Sequence, residues 1–200
     1  MQEFLSRSAV VNFEDPAVKA LSSELLMSGA REGYAKRCFE WVRDQVAHSA
    51  DTVSDLVTCS ASEVLASRVG LCYAKCHLLV ALLRCGQVAA GFSYQRLATD
   101  DGRFCLHGIV AVFVEDFGWY RVDPRGGPRG KSARFSPPVE SLVYIPKEPG
   151  EMDLPGVFAE PLPTVVSALR KHSSARTLLV DLPDQVWRNR SLQPMSRPTR

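Results

Sequence analysis

The sequence has no long apolar segment and no marked excess of charge of either sign. No stretch approaches the ~18 consecutive apolar residues of a membrane-spanning helix, and the N-terminus, MQEFLSRSAVVNFEDP, has no apolar run behind a basic start. Lysine and arginine number 24 against 22 acidic residues, so the charge balance does not favour binding to nucleic acid. We therefore expect a soluble, cytoplasmic protein that binds neither nucleic acid nor a membrane.

The chain also has no internal repeat and no low-complexity tract. Its 200 residues, 46% of them hydrophobic, suffice for one domain with a substantial core. We expect a single domain over residues 1–183 and a loose basic tail over residues 184–200.

Six cysteines occur without a secretory signal, which favours free thiols over a disulfide framework. No Cys-x-x-Cys pair is present, which argues against a thioredoxin-like redox site. Two pairs of residues that could bind a metal remain, one on a predicted helix with a histidine beside it and one on a predicted strand. Their geometry leaves a zinc-binding protein open as an alternative, with ligands from Cys72, Cys76, His77, Cys105 and His107.

Helical patterns fill the first half of the chain. Apolar residues recur at helical spacing in four stretches, within residues 13–26, 30–49, 59–70 and 71–86. Asp15 before a proline is typical of a helix start, and Ser60 with Glu63 forms a capping box for a short helix that ends near Gly70. The fourth stretch is apolar all round, which predicts a buried helix of about four turns with Cys72 at its start.

Strand patterns dominate after these helices. β-Branched and aromatic residues predict three strands joined by short turns, within residues 88–98, 103–115 and 119–123. Short strands are also predicted at 133–136 and 141–146, followed by a helix at 163–172. Helices first and an antiparallel sheet second indicate the α+β class.

Cys72 has the position of a reactive thiol. A cysteine attacks as its thiolate, and a free thiol, with a pKa near ~8.5, is mostly protonated at neutral pH. The positive end of a helix and a nearby imidazolium both favour the thiolate. Cys72 has the first by position, and His107 on the second predicted strand is the candidate for the other.

Asp123, at the end of the third strand, is the candidate that orients His107. The two residues approach each other if their strands pair across the turn EDFG. His107 lies about ten residues before the centre of that turn and Asp123 about six after it. We therefore expect a slipped register, a bulge or an asymmetric turn between them.

This order of residues resembles the transglutaminase-like superfamily of papain-like cysteine enzymes. The matching segments are CFEWVRDQV, ASEVLASRVGLCYAKCHLLVALLRCGQVAAGF and LHGIVAVFVEDFGWYRVDPRG, which together cover about residues 35–126. They contain the family's Gly-x-Cys at the start of a core helix, a histidine that opens a strand, and a Gly-Trp-x-x-x-Asp-Pro element. One departure is Gly108, which stands after the histidine where the family often has an aromatic residue.

The resemblance implies N-terminal helices packed on an antiparallel sheet, with the nucleophile at the N-terminus of the core helix. It implies a cysteine-dependent acyl-transfer enzyme acting on an amide bond through a thioester, with Cys72 as nucleophile, His107 as base and Asp123 as orienting residue. The substrate is then a peptide or small amide, and no metal or organic cofactor is required. We favour hydrolysis over crosslinking because water is always available. A noncatalytic binding module with the same fold remains the alternative.

The remaining polar candidates are interpreted as structural. Cys76 and His77 belong to the scaffold, with His77 half-buried, and His48 is a charge at the end of a helix. Trp41 and Gln45 are candidates for a second donor to an oxyanion. A cluster of basic residues near the third strand is interpreted as solvated surface, and it consists of Arg121, Arg125, Arg129, Lys131 and Arg134.

Overall fold

The computed structural model describes residues 1–30, 33–127 and 133–185. Within these ranges the α-helices are α1 (Pro16–Met27), α2 (Tyr34–Gln45), α3 (Ala61–Ser67), α4 (Cys72–Cys85), α5 (Pro163–Lys171) and α6 (Ala175–Val180), and two short 3-10 helices span Gln2–Leu5 and Ser49–Asp51. The strands are β1 (Ala47–His48), β2 (Val69–Gly70), β3 (Ala90–Ala98), β4 (Phe104–Val114), β5 (Gly118–Val122) and β6 (Met152–Asp153). In this part of the chain, no helix is both long and apolar enough to cross a membrane.

Helix α4 is the centre of the molecule, as its apolar sequence predicts. Every residue from Cys72 to Arg84 is buried, and the helix packs against α1, α2 and α3 and against strands β3 and β4. A charged side chain in such a helix has to find partners inside the protein. Arg84 does so by donating to the backbone carbonyls of Ser6, Ala90 and Ala159.

The predicted helix starts are confirmed by their caps. Asp15 accepts a hydrogen bond from the N–H of Ala17, 2.9 Å away, and so begins α1. At α3 the hydroxyl of Ser60 accepts from the N–H of Glu63, and the Glu63 carboxylate accepts from the N–H of Ser60. At both helix starts, the capping side chains therefore accept from backbone N–H groups that have no partner within the helix.

Helix α3 ends earlier than expected. It stops at Ser67 instead of near Gly70, because Arg68 adopts a left-handed conformation with φ of 56°. The chain then extends, and β2 pairs in parallel with β1, placing His48 opposite Gly70. This pairing brings His48 next to the entry of α4.

The sheet confirms the three predicted strands and the α+β class. Its order is β5-β4-β3-β6, and every neighbouring pair is antiparallel. Gly108 lets β4 approach α4 closely, because a Cβ at that position would lie 3.0 Å from the ring of Tyr73. The Tyr73 hydroxyl also donates to the carbonyl of Leu106. The departure from the family pattern at Gly108 thus has a packing reason.

The chain after β5 differs from the prediction. The segments 133–136 and 141–146 do not form strands, and a single isolated backbone bridge links them. Some backbone groups of these segments bond to side chains instead of to a neighbouring strand. The N–H of Val143, for example, donates to the carboxylate of Asp123. The second segment is therefore attached to the site described below.

The last described part of the chain contains one predicted and two unpredicted elements. Helix α5 confirms the prediction at 163–172, whereas β6 and α6, with two and six residues, are too short to show a period. Of the predicted tail, Asp184 pairs with Arg96 at 2.7 Å, and residues 186–200 lie outside the described ranges.

His77 gives a prediction about stability in acid. It is completely buried, more deeply than expected, and its Nδ1 lies 2.6 Å from the carbonyl of Cys59. Burial lowers its pKa from 6.5 to about 4. Between these values the unfolded chain binds a proton that the folded chain does not, so stability falls as the pH falls from 6.5 to 4, by up to about 3 kcal/mol from this residue.

Replacing His77 by Gln tests this contribution. We expect the free energy of unfolding of His77→Gln to depend less steeply on pH than that of the wild type between pH 6.5 and 4. Urea unfolding at a series of pH values measures both slopes. Equal slopes would contradict the assignment of acid sensitivity to His77.

Candidate active site

Cys72 is the first residue of α4. The residue before the helix, Leu71, has an apolar side chain and provides no side-chain cap. The first N–H groups of a helix have no partner within the helix, and here no cap occupies them. The end of α4 therefore presents partial positive charge and backbone donors next to the Cys72 sulfur.

His107 and Asp123 lie on neighbouring strands in a regular antiparallel ladder. β4 and β5 pair Val110 with Val122 without a bulge. Continued by one residue, this register places Asp123 opposite Ile109, which is two residues from His107 and on the same face of the sheet. The expected slippage or bulge is wrong, because the side chains bridge the diagonal: His107 Nε2 and Asp123 Oδ2 are 2.8 Å apart.

The carboxylate of Asp123 is completely buried and held by backbone donors. Its Oδ1 accepts from the N–H of Arg125 at 3.0 Å, and its Oδ2 accepts from the N–H of Val143 at 3.3 Å. The bond from Arg125 closes a turn around the Asp-Pro pair. The Asp123 carboxylate therefore both stabilises this turn and contacts His107.

His107 lies between the carboxylate and the thiol: it pairs with Asp123, and it interacts electrostatically with Cys72. Burial by itself lowers the pKa of His107. The charge of Asp123, the hydrogen bond to Asp123 and the interaction with Cys72 outweigh this effect and raise the pKa from 6.5 to about 10. His107 is therefore an imidazolium at neutral pH.

Tyr144 covers this arrangement from a segment that the sequence pattern did not connect to the site. Its ring lies edge-on to the imidazole of His107, with 4.9 Å between the ring centroids and 80° between the planes. Gln95 fixes its backbone by donating from Nε2 to the Tyr144 carbonyl at 3.3 Å. The segment 143–145 thus packs over the hydrogen bond between His107 and Asp123.

A buried lysine, which sequence reasoning also missed, ties the parts of the site together. Lys75 is 1% exposed and donates to the carbonyls of Arg43, Val46 and Arg125. Burial and the nearby charge of Arg125 lower its pKa to about 8. Because Arg125 follows Asp123 by two residues, Lys75 fixes the aspartate loop relative to the helix that carries the nucleophile.

His48 is not the helix-end charge that we expected. Helix α2 ends at Gln45, and His48 lies in β1, where it is buried. Burial lowers its pKa well below 6.5, and the charges of Arg125, Lys75 and His107 lower it further. His48 is therefore neutral at physiological pH.

The basic cluster is a solvated surface only in part: Arg134 is exposed as expected, whereas Arg121 and Arg125 form ion pairs. Arg125 is 8% exposed and pairs with Asp51 at 3.1 Å. Arg121 is paired with two carboxylates. Arg129 and Lys131 lie outside the described ranges. Internal ion pairs cannot be recognised from sequence because the partners come from distant segments.

Other sequence candidates do not converge on the site. Trp41 packs against the guanidinium of Arg68, 4.3 Å from its ring centroid, and neither Trp41 nor Gln45 lines the cavity described below. Cys76 and His77 are buried within α4. Within the described ranges, no three His, Cys, Asp or Glu side chains form a group that could hold a metal ion.

A cavity of about 600 Å³ opens over Cys72 and His107, a size typical of sites for small ligands. Its lining comes from β1, the start of α4, strands β3 and β4, and segments after β5. These residues include His48, Leu97, Arg125, Val143, Tyr144, Ile145, Leu179 and Leu182. The thiol and the imidazolium are thus accessible to a small molecule or to part of a peptide.

Comparison with known families agrees with this arrangement. A family model for the transglutaminase-like superfamily matches residues 19–124, which is more than half of the chain. The protein therefore belongs to the transglutaminase-like superfamily. No curated protein matches the sequence.

Solved structures with a similar fold include a candidate cysteine protease from Cytophaga hutchinsonii, with 20% identity and a TM-score of 0.47 over 61% of this chain and 40% of that one. The periplasmic domain of TgpA from Pseudomonas aeruginosa has 21% identity and a TM-score of 0.45 over 60% of this chain and 45% of that one. The chain thus spans less than half the length of either structure.

Removing the charge of Asp123 tests the electrostatics of the site. In Asp123→Asn the shape and acceptor oxygen remain, but burial of His107 is no longer offset by a negative charge. We expect the pKa of His107 to fall from about 10 to below its ordinary 6.5. NMR titration of the four histidines, assigned with His107→Ala, measures it.

The control for this titration is Asp44→Asn, which removes a carboxylate that pairs with Arg43 on the surface. His107 should titrate as in the wild type there. A midpoint near 10 that persists in Asp123→Asn would contradict the role given to the aspartate.

Proposed function

We propose that the protein is a cysteine-dependent acyl-transfer enzyme that acts on an amide bond, with Cys72, His107 and Asp123 as its catalytic residues. The observation that carries the proposal is the buried pair of His107 and Asp123, 2.8 Å apart, in a cavity that Cys72 and His107 both line. Cys72 lies at the start of α4 and interacts electrostatically with His107. A nucleophile, a base and an orienting group in contact are the arrangement that nucleophilic catalysis needs.

The mechanism follows from these positions. His107 already holds the proton as an imidazolium, and the sulfur of Cys72 attacks the carbonyl carbon of the substrate as the thiolate paired with it. The N–H of Cys72 at the start of α4 is placed to donate to the oxyanion. His107 then donates its proton to the leaving amine as the carbon–nitrogen bond breaks, which leaves a thioester on Cys72.

The thioester is cleaved by a second nucleophile, for which His107 acts as base. We propose that this nucleophile is water, so that the product is a carboxylic acid, and that the substrate is a peptide or a small amide. An amine in the same position would make the protein a crosslinking transferase. We further propose that the protein works in the cytoplasm, where reducing conditions keep a catalytic thiol active.

Site-resolved alkylation tests the proposal. We expect iodoacetamide to label Cys72 faster at pH 6 than Cys85, a half-buried cysteine that serves as internal reference. In His107→Ala the rate at Cys72 should fall roughly tenfold or more, because the imidazolium that stabilises the thiolate is gone. Peptide mass spectrometry at several times gives the rate for each cysteine.

Labelling of Cys72 that is slow, or that does not depend on His107, would favour a noncatalytic binding module with this fold. If the thiol is reactive, product analysis with and without an added primary amine separates hydrolysis from transfer.

A further inference from the structure

Two features of the cavity have no role in the mechanism so far: a neutral histidine beside the nucleophile, and an apolar wall built from the end of the chain. Each supports a proposal that rests on the acyl transfer described above.

Backbone pairing between two short strands brings His48 close to the start of the helix that carries the nucleophile. β1 and β2 pair His48 with Gly70, which is two residues before Cys72. The imidazole lines the same cavity as Cys72 and His107. The two short strands and the start of α4 thus hold this ring in the wall of the cavity that contains the nucleophile.

The hydrogen bonding of His48 defines which of its nitrogens carries the proton. Its Nδ1 accepts from the N–H of Ala50 at 3.2 Å, so in the neutral ring the proton is on Nε2. Among the described residues Nε2 has no hydrogen-bond partner. His107, in contrast, uses its Nε2 for Asp123. His48 therefore has a donor available for a ligand in the cavity.

The positive charges around His48 determine its protonation state. Arg125, Lys75 and His107 are the cations that act on it, and with burial they keep the ring neutral. A neutral ring cannot act as a second acid of the site, but it donates a hydrogen bond without losing a proton. This is the property that stabilisation of an oxyanion needs.

We infer that His48 donates from Nε2 to the oxyanion formed when Cys72 attacks a carbonyl group. Attack forms the sulfur–carbon bond and moves one electron pair of the C=O bond onto oxygen. That oxygen accepts hydrogen bonds from His48 and from the N–H of Cys72, and no proton moves to it. When the tetrahedral species collapses, the electron pair restores the carbonyl and the bond to the leaving group breaks.

The test compares two reactions of the same thiol. Acylation by p-nitrophenyl acetate passes through an oxyanion, whereas alkylation by iodoacetamide does not. In His48→Leu we expect acylation of Cys72 to slow roughly a hundredfold, with alkylation within about twofold of the wild type. His48→Gln, which keeps an N–H donor at a similar reach, should recover part of the acylation rate.

His172→Ala is the control, since this histidine pairs with Asp181 and does not line the cavity. A parallel loss of both reactions in His48→Leu, or an unchanged acylation rate, would overturn the inference. If wild-type Cys72 reacts with neither reagent, the proposed function itself fails, which is a different result.

The second inference concerns the acyl group that the cavity accepts. The part of its wall that lies outside residues 19–124, the family match, is mostly apolar and includes Val143, Ile145, Leu179 and Leu182. Ile145 is 69% exposed although it lines the cavity. An apolar side chain left open beside a nucleophile gains free energy when a substrate group covers it.

The charged lining residues do not favour a charged substrate. Arg125 is neutralised by Asp51, and the carboxylate of Glu151 accepts from the N–H groups of Ala98, Lys147 and Glu148. Asp100 and Lys147 have opposite charges, and the charge of His107 is paired with that of Asp123. The geometry points to an amide whose acyl part carries an uncharged, apolar group packed against Ile145.

Ester probes with acyl groups of different length test this second inference. We expect wild-type Cys72 to be acylated roughly tenfold faster by p-nitrophenyl hexanoate than by the acetate, after correction for reactivity in solution. Ile145→Asp should abolish this preference, measured as the ratio of the hexanoate rate to the acetate rate within the same variant. Val139→Asp is a matched control, because Val139 is also 69% exposed but does not line the cavity.

No preference for hexanoate in the wild type, or a preference that Ile145→Asp leaves intact, would overturn the apolar subsite. Neither result affects the acetate reaction, so the proposed function is judged separately.

Discussion

The buried hydrogen bond between His107 and Asp123 is the contact on which the chemistry of the site depends. An ionised carboxylate inside a protein has to be matched by donors and by positive charge. Here the backbone supplies two N–H groups and the sheet supplies the imidazole. In return the carboxylate keeps His107 charged although the ring is buried.

The rest of the fold holds the partners of this contact in place. Helix α4 brings the thiol to the imidazole, and its close approach to the sheet requires a residue without a side chain at Gly108. Lys75, on the same helix, attaches the loop after Asp123 through the carbonyl of Arg125. The first residue of this helix is thus the nucleophile, and a lysine in its first turn holds the loop that follows the aspartate.

Much of this arrangement could be predicted from sequence because the signals are local. The caps at Asp15 and Ser60, the apolar helix from Cys72 and the strands around His107 depend on neighbouring residues, and the structure has all of them. The pairing of His107 with Asp123 was harder to judge, because counting from a turn of unknown type does not distinguish a shifted register from a diagonal contact.

The roles of residues that act through distant partners could not be predicted. His48 reads as a charge after a helix, and only its pairing with Gly70 brings it to the cavity. Tyr144 follows His107 by 37 residues and lies in a segment that was predicted as a short strand. The segment is irregular in the structure, so the ring contact of Tyr144 depends on a path that the sequence does not define. Arg125 becomes internal because Asp51, far along the chain, pairs with it.

The most direct measurement is to trap the acyl-enzyme. The protein is mixed with a p-nitrophenyl ester, quenched in acid at short times, digested and analysed by mass spectrometry. The account predicts an acyl group on Cys72 that hydroxylamine removes, with the other five cysteines unmodified. An ester group spread over several cysteines, or absent from Cys72, would contradict it.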